Sequence, residues 1–312
     1  MTYISKYISL KEYIPFGNPD VSKFQLKKEN LILKDNNEVI VKNKWISVDP
    51  YMRARMTERK NYMPPYEIAK PMEGKAIGEI IETNSIYFKK GDIVISNYGW
   101  RDYFIANYKD LKKINKSEIP LTAYLGPIGF TGHTAYIGLF KIGNIKKGST
   151  ILVSSAAGSV GSTVCQIAKM LGCRVIASTG TDEKAEWLKK ELGVDHAFNY
   201  KKIDNLVLHF KKIAPGGFDL YFDNVGGKFL ESAIYRMKNY GKIIICGRIS
   251  QMNTTEKEEG LKNMAHVLVK RLTVRGFLIF DHENDYEEFE IKMKNWILTK
   301  KIKLDQTIVK GI

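Results

Sequence analysis

The run Leu152-Val153-Ser154-Ser155-Ala156-Ala157-Gly158-Ser159-Val160-Gly161-Ser162 carries an apolar strand into a helix through mostly small residues, and few folds accommodate that junction. Small side chains let the backbone approach a pyrophosphate, and the unpaired amides at the start of the following helix favour its negative charge. Ser155 stands where a G-x-G-x-x-G fingerprint has its first glycine, while Gly158 and Gly161 keep the other two. Glycine spacing alone also fits an ordinary strand-to-helix turn. The flanks decide the matter: strand Thr150–Val153, helix Val160–Leu171 and a second strand Arg174–Ser178 complete a β-α-β unit.

In an NAD site an acid about 20 residues beyond the glycines receives the ribose hydroxyls. Here the second strand ends in Ser178-Thr179-Gly180-Thr181, and Lys184 follows within one helical turn. Hydroxyls and an ammonium hold a 2′-phosphate that a carboxylate would repel, so the expected cofactor is NADP. A solvated surface lysine is the competing reading of Lys184. Three further short apolar runs, Ala197–Tyr200, Phe218–Asp223 and Lys242–Cys246, suit strands buried on both faces of a parallel sheet. The expectation is a doubly wound Rossmann domain over 125–296.

Before residue 125 the pattern changes to short strands, Glu38–Val48, Ala76–Thr83 and Ile93–Ile95, divided by Gly, Pro, Asn and Asp. At 312 residues with 44% hydrophobic composition, the chain can bury two cores, and no apolar run is long enough to cross a bilayer. The opening Met1–Leu10 lacks a secretory pattern, and Cys165, Cys173 and Cys246 show no paired spacing, so a cytoplasmic protein with reduced thiols is expected. These cysteines and His133, His196, His209, His266 and His282 form no sequence cluster for tetrahedral coordination, and no metal is expected. The net charge of +15 invites nucleic acid. Its lysines, however, are scattered as short pairs on solvated faces with no recognition module, so nucleic acid is not an expected partner.

Six separated motifs carry a family resemblance: Val48-Asp49-Pro50-Tyr51-Met52-Arg53, Gly129 to Tyr136, the Ser155–Ser162 cradle, Ala197 to Tyr200, Tyr221 to Gly227, and Cys246-Gly247-Arg248-Ile249-Ser250. In this order they resemble the zinc-independent medium-chain dehydrogenase/reductases, specifically the branch of prostaglandin reductase (leukotriene B4 12-hydroxydehydrogenase) and alkenal double-bond reductases. The resemblance implies an α/β chain: a GroES-like, partly open β-barrel in 1–124, which is the substrate and catalytic domain, the Rossmann domain in 125–296, and a return to the catalytic domain in 297–312. It further implies NADPH-dependent reduction of the carbon–carbon double bond of α,β-unsaturated aldehydes or ketones. Hydride goes to the β carbon, so the protein must stabilise an enolate oxygen and supply a proton.

By the same resemblance, Ser159, Val160, Gly161 and Ser162 lie along the pyrophosphate, and Lys184 and Tyr200 flank the 2′-phosphate. Asn224, Cys246, Gly247, Arg248, Ile249 and Ser250 also meet the cofactor, and Phe277, Leu278 and Ile279 line the nicotinamide. Tyr51 is the catalytic candidate, a phenol for the carbonyl or enolate oxygen, and Phe280 borders an enone or alkenal substrate with Tyr51. Core packing or turn formation is the plain alternative for each. Arg53 has two readings, an anion contact and a structural partner. A homodimer is implied as well.

Two departures stand out. Relatives read Ile-Ser-Gln-Tyr-Asn or Ile-Ser-Thr-Tyr-Asn where this chain has Ile249-Ser250-Gln251-Met252-Asn253, and a thioether cannot replace a phenol as donor. Weaker or altered enone reduction is expected. The sequence also stops at Ile312, where relatives continue through a helix and a closing strand, so the return segment is expected to be shortened. These departures keep two other functions open: an NADPH quinone reductase, and a catalytically weak NADPH-binding protein with a regulatory or RNA-binding role.

Overall fold

The computed structural model describes residues 2–59, 61–254 and 260–312. The chain divides into two compact units, Met1–Leu125 with Gln306–Ile312, and Gly126–Asp305. The second unit therefore extends past residue 296 and takes in a further stretch of the chain before the last residues rejoin the first.

In the first unit β1 (Tyr3–Leu10) and β2 (Phe24–Leu31) pair antiparallel, with Tyr3 opposite Leu31 and Leu10 opposite Phe24. Next come β3 (Glu38–Ile46), α1 (Tyr51–Arg55), β4 (Ala76–Thr83), β5 (Ile93–Ser96), β6 (Tyr103–Asn107) and β7 (Lys112–Lys113). Five of these strands form an antiparallel sheet in the order β6-β3-β4-β5-β7. Its core gathers Val39, Val41, Ile80, Val94 and Phe104 from four strands. A second cluster, Leu10, Ile14, Met52, Met56, Tyr66 and Met72, seats α1.

The second unit opens with α2 (Phe130–Ile137) and alternates strand and helix thereafter: β8 (Thr150–Val153), α3 (Ser159–Met170), β9 (Arg174–Thr179), α4 (Asp182–Leu192), β10 (His196–Asn199), α5 (Leu206–Ile213), β11 (Phe218–Asp223), α6 (Gly227–Arg236), β12 (Met237–Ile245), α7 (Met264–Val269), β13 (Thr273–Gly276) and α8 (Tyr286–Leu298). Short helices need explicit ends, and α4 shows why this one forms. Thr181 accepts the Lys184 amide, Asp182 and Glu183 sit in the first turn, and Gly193 closes the helix at φ +62°.

The six strands are parallel and ordered β10-β9-β8-β11-β12-β13. That is the doubly wound Rossmann order, whose direction of progression reverses between β8 and β11. One face is packed by aromatic residues of α5, α6 and the strands, with Phe210, Phe218, Tyr221 and Phe229 at its centre. Phe210 and Phe218 are fully buried, each contributing about 1.5–3 kcal/mol. On α3, Val164, Cys165, Ile167 and Ala168 are buried, and the helix packs on β8 and β9. A GroES-like antiparallel unit and a doubly wound α/β unit are thus the architecture of this chain.

Candidate functional site

The residues expected to hold the cofactor follow the carboxyl ends of the parallel strands, where an open α/β sheet binds ligands beside its reversal point. After β8 the chain turns at Ser155, whose φ of +49° is left-handed backbone. A glycine takes that conformation without cost, and Ser155 spends roughly 1–2 kcal/mol on it. The Gly158 amide closes the turn on the Ser155 carbonyl at 3.0 Å, and the Ala156 amide ties it to the Ser178 carbonyl of β9 at 2.9 Å.

Helix α3 begins at Gly158 with no side-chain cap, so its first-turn amides at Ser159, Val160 and Gly161 face outward from the helix end. Gly161 is where close approach matters. A Cβ there would run into the Ser155 carbonyl and stand 2.7 Å from Ala156 Cα. The Ser159 hydroxyl lies 2.7 Å from Thr131 Oγ1, which itself donates to the Gly126 carbonyl at 3.0 Å. That chain of donors turns Ser159 Oγ toward Thr131, leaving its backbone amide for an anion.

Past β9, Gly180 opens a small space. Its missing Cβ would lie 3.6 Å from Lys201 Cε, 3.9 Å from Lys201 Nζ and 3.8 Å from Tyr200 Cε1. Tyr200 is the first residue of a short 3-10 turn, Tyr200–Lys202, rather than the last of β10. Lys184 is exposed in the first turn of α4. Lys202 is taken by an ion pair with Asp182. Lys201, absent from the motif-based expectation, is the ammonium that faces Gly180. No sequence signal separates it from Lys202, its neighbour in the pair.

Beyond β11 and β12 two loops are zipped together. Cys246 and Gly247 donate backbone N–H to the Asp223 carbonyl at 2.8 and 3.0 Å, Ile249 donates to Asn224 O at 3.3 Å, and Ser250 Oγ donates to Val225 O at 2.7 Å. Burial, with Asp223 adding to it, pushes the Cys246 thiol up to about 12, so it stays protonated. Met252 follows the same loop, half-buried. After β13, Phe277 approaches Gly138, Ile279 is buried, and Leu278 is exposed. The Phe280 ring lies 5.7 Å from Phe130, tilted by 47°.

Sequence reasoning missed the buried polar cluster beneath these loops. Asp223 Oδ1 accepts from Tyr221 OH at 2.5 Å, Val225 N and Gly226 N at 2.9 Å, and Ser154 Oγ at 3.3 Å. Burial raises the Asp223 carboxyl above its ordinary value, opposed by these donors. Asp223 Oδ2 and Ser178 Oγ are buried without a hydrogen-bond partner among the described residues. A dinucleotide fits what is present: a glycine cradle, uncapped amides and a cation beside Gly180.

In the first unit, Tyr51 opens α1 behind Pro50, which sets the helical φ for the first turn. Burial, then the Asp49 carboxyl, pushes its phenol up to about 12, so Tyr51 remains a hydrogen-bond donor across the neutral range. Arg53 donates to the Gly17 carbonyl at 3.0 Å, and Arg55 pairs with Glu73 at 2.7 Å while lying 4.2 Å over the Tyr66 ring. Both arginines are buried, and these bonds support the structural reading of Arg53. Among the described residues, no group of three or more His, Cys, Asp and Glu side chains could hold a metal ion.

An antiparallel β unit joined in sequence to a Rossmann unit with this cradle defines a dinucleotide-dependent dehydrogenase or reductase. Residues 6–114 match the family model described as the N-terminal domain of oxidoreductase, and 159–295 match that described as zinc-binding dehydrogenase. The chain is 40% identical to 2-alkenal reductase (NADP(+)-dependent) of Nicotiana tabacum, over 91% of this chain and 84% of that one. It is 36% identical to prostaglandin reductase 1 of Oryctolagus cuniculus, over 98% and 86%. The solved structure of CurA from Vibrio vulnificus in complex with NADPH superposes with a TM-score of 0.90 at 34% identity, over 98% of this chain and 92% of that one. The chain belongs to the zinc-independent medium-chain dehydrogenase/reductases, in the branch of the alkenal and prostaglandin reductases.

Proposed function

We propose that this NADP-dependent oxidoreductase reduces the carbon–carbon double bond of α,β-unsaturated aldehydes or ketones. The observation that carries the reading is the site after the parallel strands, with uncapped α3 amides for a pyrophosphate and Lys201 at Gly180 for a 2′-phosphate, in a chain 40% identical to an NADP-dependent 2-alkenal reductase. NADPH, when bound, supplies the hydride. Ser159, Val160, Gly161 and Ser162 hold the pyrophosphate, chiefly through backbone amides. Lys184, Tyr200 and Lys201 hold the 2′-phosphate. Asn224, the Cys246–Ser250 loop and Phe277–Ile279 orient the rest of the dinucleotide. Tyr51 donates to the substrate carbonyl oxygen, where charge develops, and Phe280 offers an aromatic face to the conjugated chain.

No helix of the described residues is long and apolar enough to cross a membrane. We assign the protein to the cytoplasm on its three free cysteines, which suit a reducing compartment. We also assign it as a homodimer, because β13 ends the parallel sheet with all its residues exposed.

The test follows NADPH absorbance with a panel of enones and alkenals, quinones alongside, and NADH as the second donor. Enone-dependent oxidation that prefers NADPH is the expected result. Turnover confined to quinones would replace the substrate assignment, and NADPH binding without turnover would replace the enzyme assignment. In the same panel Met252→Tyr restores a donor to the loop after β12 and is expected to raise enone turnover; an unchanged rate removes Met252 from the account.

A further inference from the structure

Asn224 follows β11 at the reversal point of the sheet, and it is gripped from two sides. Its side-chain Nδ2 donates to the Ser154 carbonyl at 2.8 Å, and its backbone N–H donates to Ser154 Oγ at 3.0 Å. Ser154 opens the turn that leaves β8, so these two bonds stitch together the strands between which the direction reverses. Ser154 Oγ is itself held: it donates to Asp223 Oδ1 at 3.3 Å and lies 3.0 Å from the Tyr221 hydroxyl. Behind the pair sits Asp223, fully buried and out of reach of any ligand. A buried carboxylate costs several kcal/mol and is weak evidence for stability in itself. What it organises here is specific. Its Oδ1 fixes Ser154 and the amides of Val225 and Gly226, setting the turn that carries Asn224, while its backbone carbonyl receives Cys246 and Gly247.

We infer that Asp223 is a positioning residue for cofactor binding: through Ser154 and the turn at 224–226 it holds the Asn224 side chain in the orientation that meets the dinucleotide. The inference rests on the reading of Asn224 as a cofactor contact. Asp223 itself touches neither substrate nor cofactor. Its effect on affinity passes through Asn224, so the two residues are coupled where a merely structural acid would not be.

A double-mutant cycle on the full chain measures that coupling. NADPH dissociation constants are obtained by fluorescence titration for the wild type, Asp223→Ala, Asn224→Ala and the double variant, with thermal melts alongside. Losing an acceptor of this kind is expected to weaken NADPH about tenfold, falling to about twofold or less when Asn224 is already alanine. Asp223→Asn keeps one acceptor oxygen and recovers most of the affinity that Asp223→Ala loses, even where its melting temperature stays low. If Asp223→Ala does not fold, Ser154→Ala completes the same cycle, because Ser154 Oγ is the link between the two residues. Equal losses on both backgrounds would overturn the inference and leave the Asn224 contact intact, whereas a loss at Asp223 with none at Asn224 would overturn the inference together with the Asn224 contact on which it rests. A wild-type chain that does not bind NADPH would instead sink the cofactor reading itself.

Discussion

At Gly180 the backbone leaving β9 carries no side chain, and Lys201 and Tyr200 stand at the edge of the space it leaves. On the proposed function a lysine there discriminates between cofactors, because only NADPH carries a 2′-phosphate. Replacing Lys201 by alanine is expected to raise the KM for NADPH about five- to tenfold through one lost charge-assisted contact, with kcat and the NADH reaction nearly unchanged. Steady-state rates with both cofactors check this, and equal losses with NADPH and NADH would remove Lys201 from the phosphate site. Lys184 and Tyr200 were proposed from the chain because they stand at family positions. Lys201 was not, since in the pair Lys201-Lys202 only the fold shows that one ammonium turns to Asp182 and the other to Gly180. Ser155 was legible as the residue in the first-glycine position, but its left-handed φ belongs to the structure. The Asp223 cluster was hidden for a different reason: it joins side chains of β11 to Ser154 just after β8, and the adjacency of those strands is a property of strand order.

Helix α2 shows how an element can carry a pH dependence that its sequence conceals. His133 is buried on it, stacked on Phe289 at 4.9 Å and edge-on to Tyr286 at 5.3 Å, both residues of α8. Burial pulls its imidazole down to about 4; Asp285 opposes the shift and His282 adds to it. The folded state thus holds neutral His133 where an unfolded chain, with an ordinary value near 6.5, takes up a proton. Between those values the unfolded state binds more protons, so stability rises with pH. The contribution is full above about 6.5 and declines as pH falls toward about 4. His133→Leu is expected to melt at nearly the same temperature at pH 7 and to lose less between pH 7 and pH 4.5 than the parent. Parallel melting curves across that range would assign the acid sensitivity elsewhere, to groups such as His196 and His209, which burial and nearby cations also lower. Elements themselves were largely legible: β8 and β11 fall where apolar runs between turn residues put them. β12 begins earlier than its apolar run because the chain bulges at Tyr240, with φ +62°, and β13 has no apolar run to announce it.

For the whole molecule, the open edge of the parallel sheet and the net charge of +15 act against each other. β13 pairs with β12 on one side only, and exposed apolar side chains stand on it and just before it in the chain, Val274 at 42% and Leu268 at 78% exposure. Such an edge is a template for another strand, and a second copy can supply its own β13 about a two-fold axis. Two chains of this charge also repel, and salt screens the repulsion, with a Debye length of about 10 Å at 0.1 M and about 3 Å at 1 M. Association between copies should therefore tighten as salt rises. Binding to RNA through the same positive charge would weaken steeply, because it depends on releasing counterions. Sedimentation velocity across a salt series is expected to show a homodimer whose dissociation falls with added salt, and a Val274→Glu, Leu268→Glu chain that stays monomeric throughout while still binding NADPH. A double variant that dimerises as the parent does would move the interface away from β13. Dimers that dissociate as salt rises would mean that attraction between charges, and not an apolar edge closing on itself, holds the two copies together.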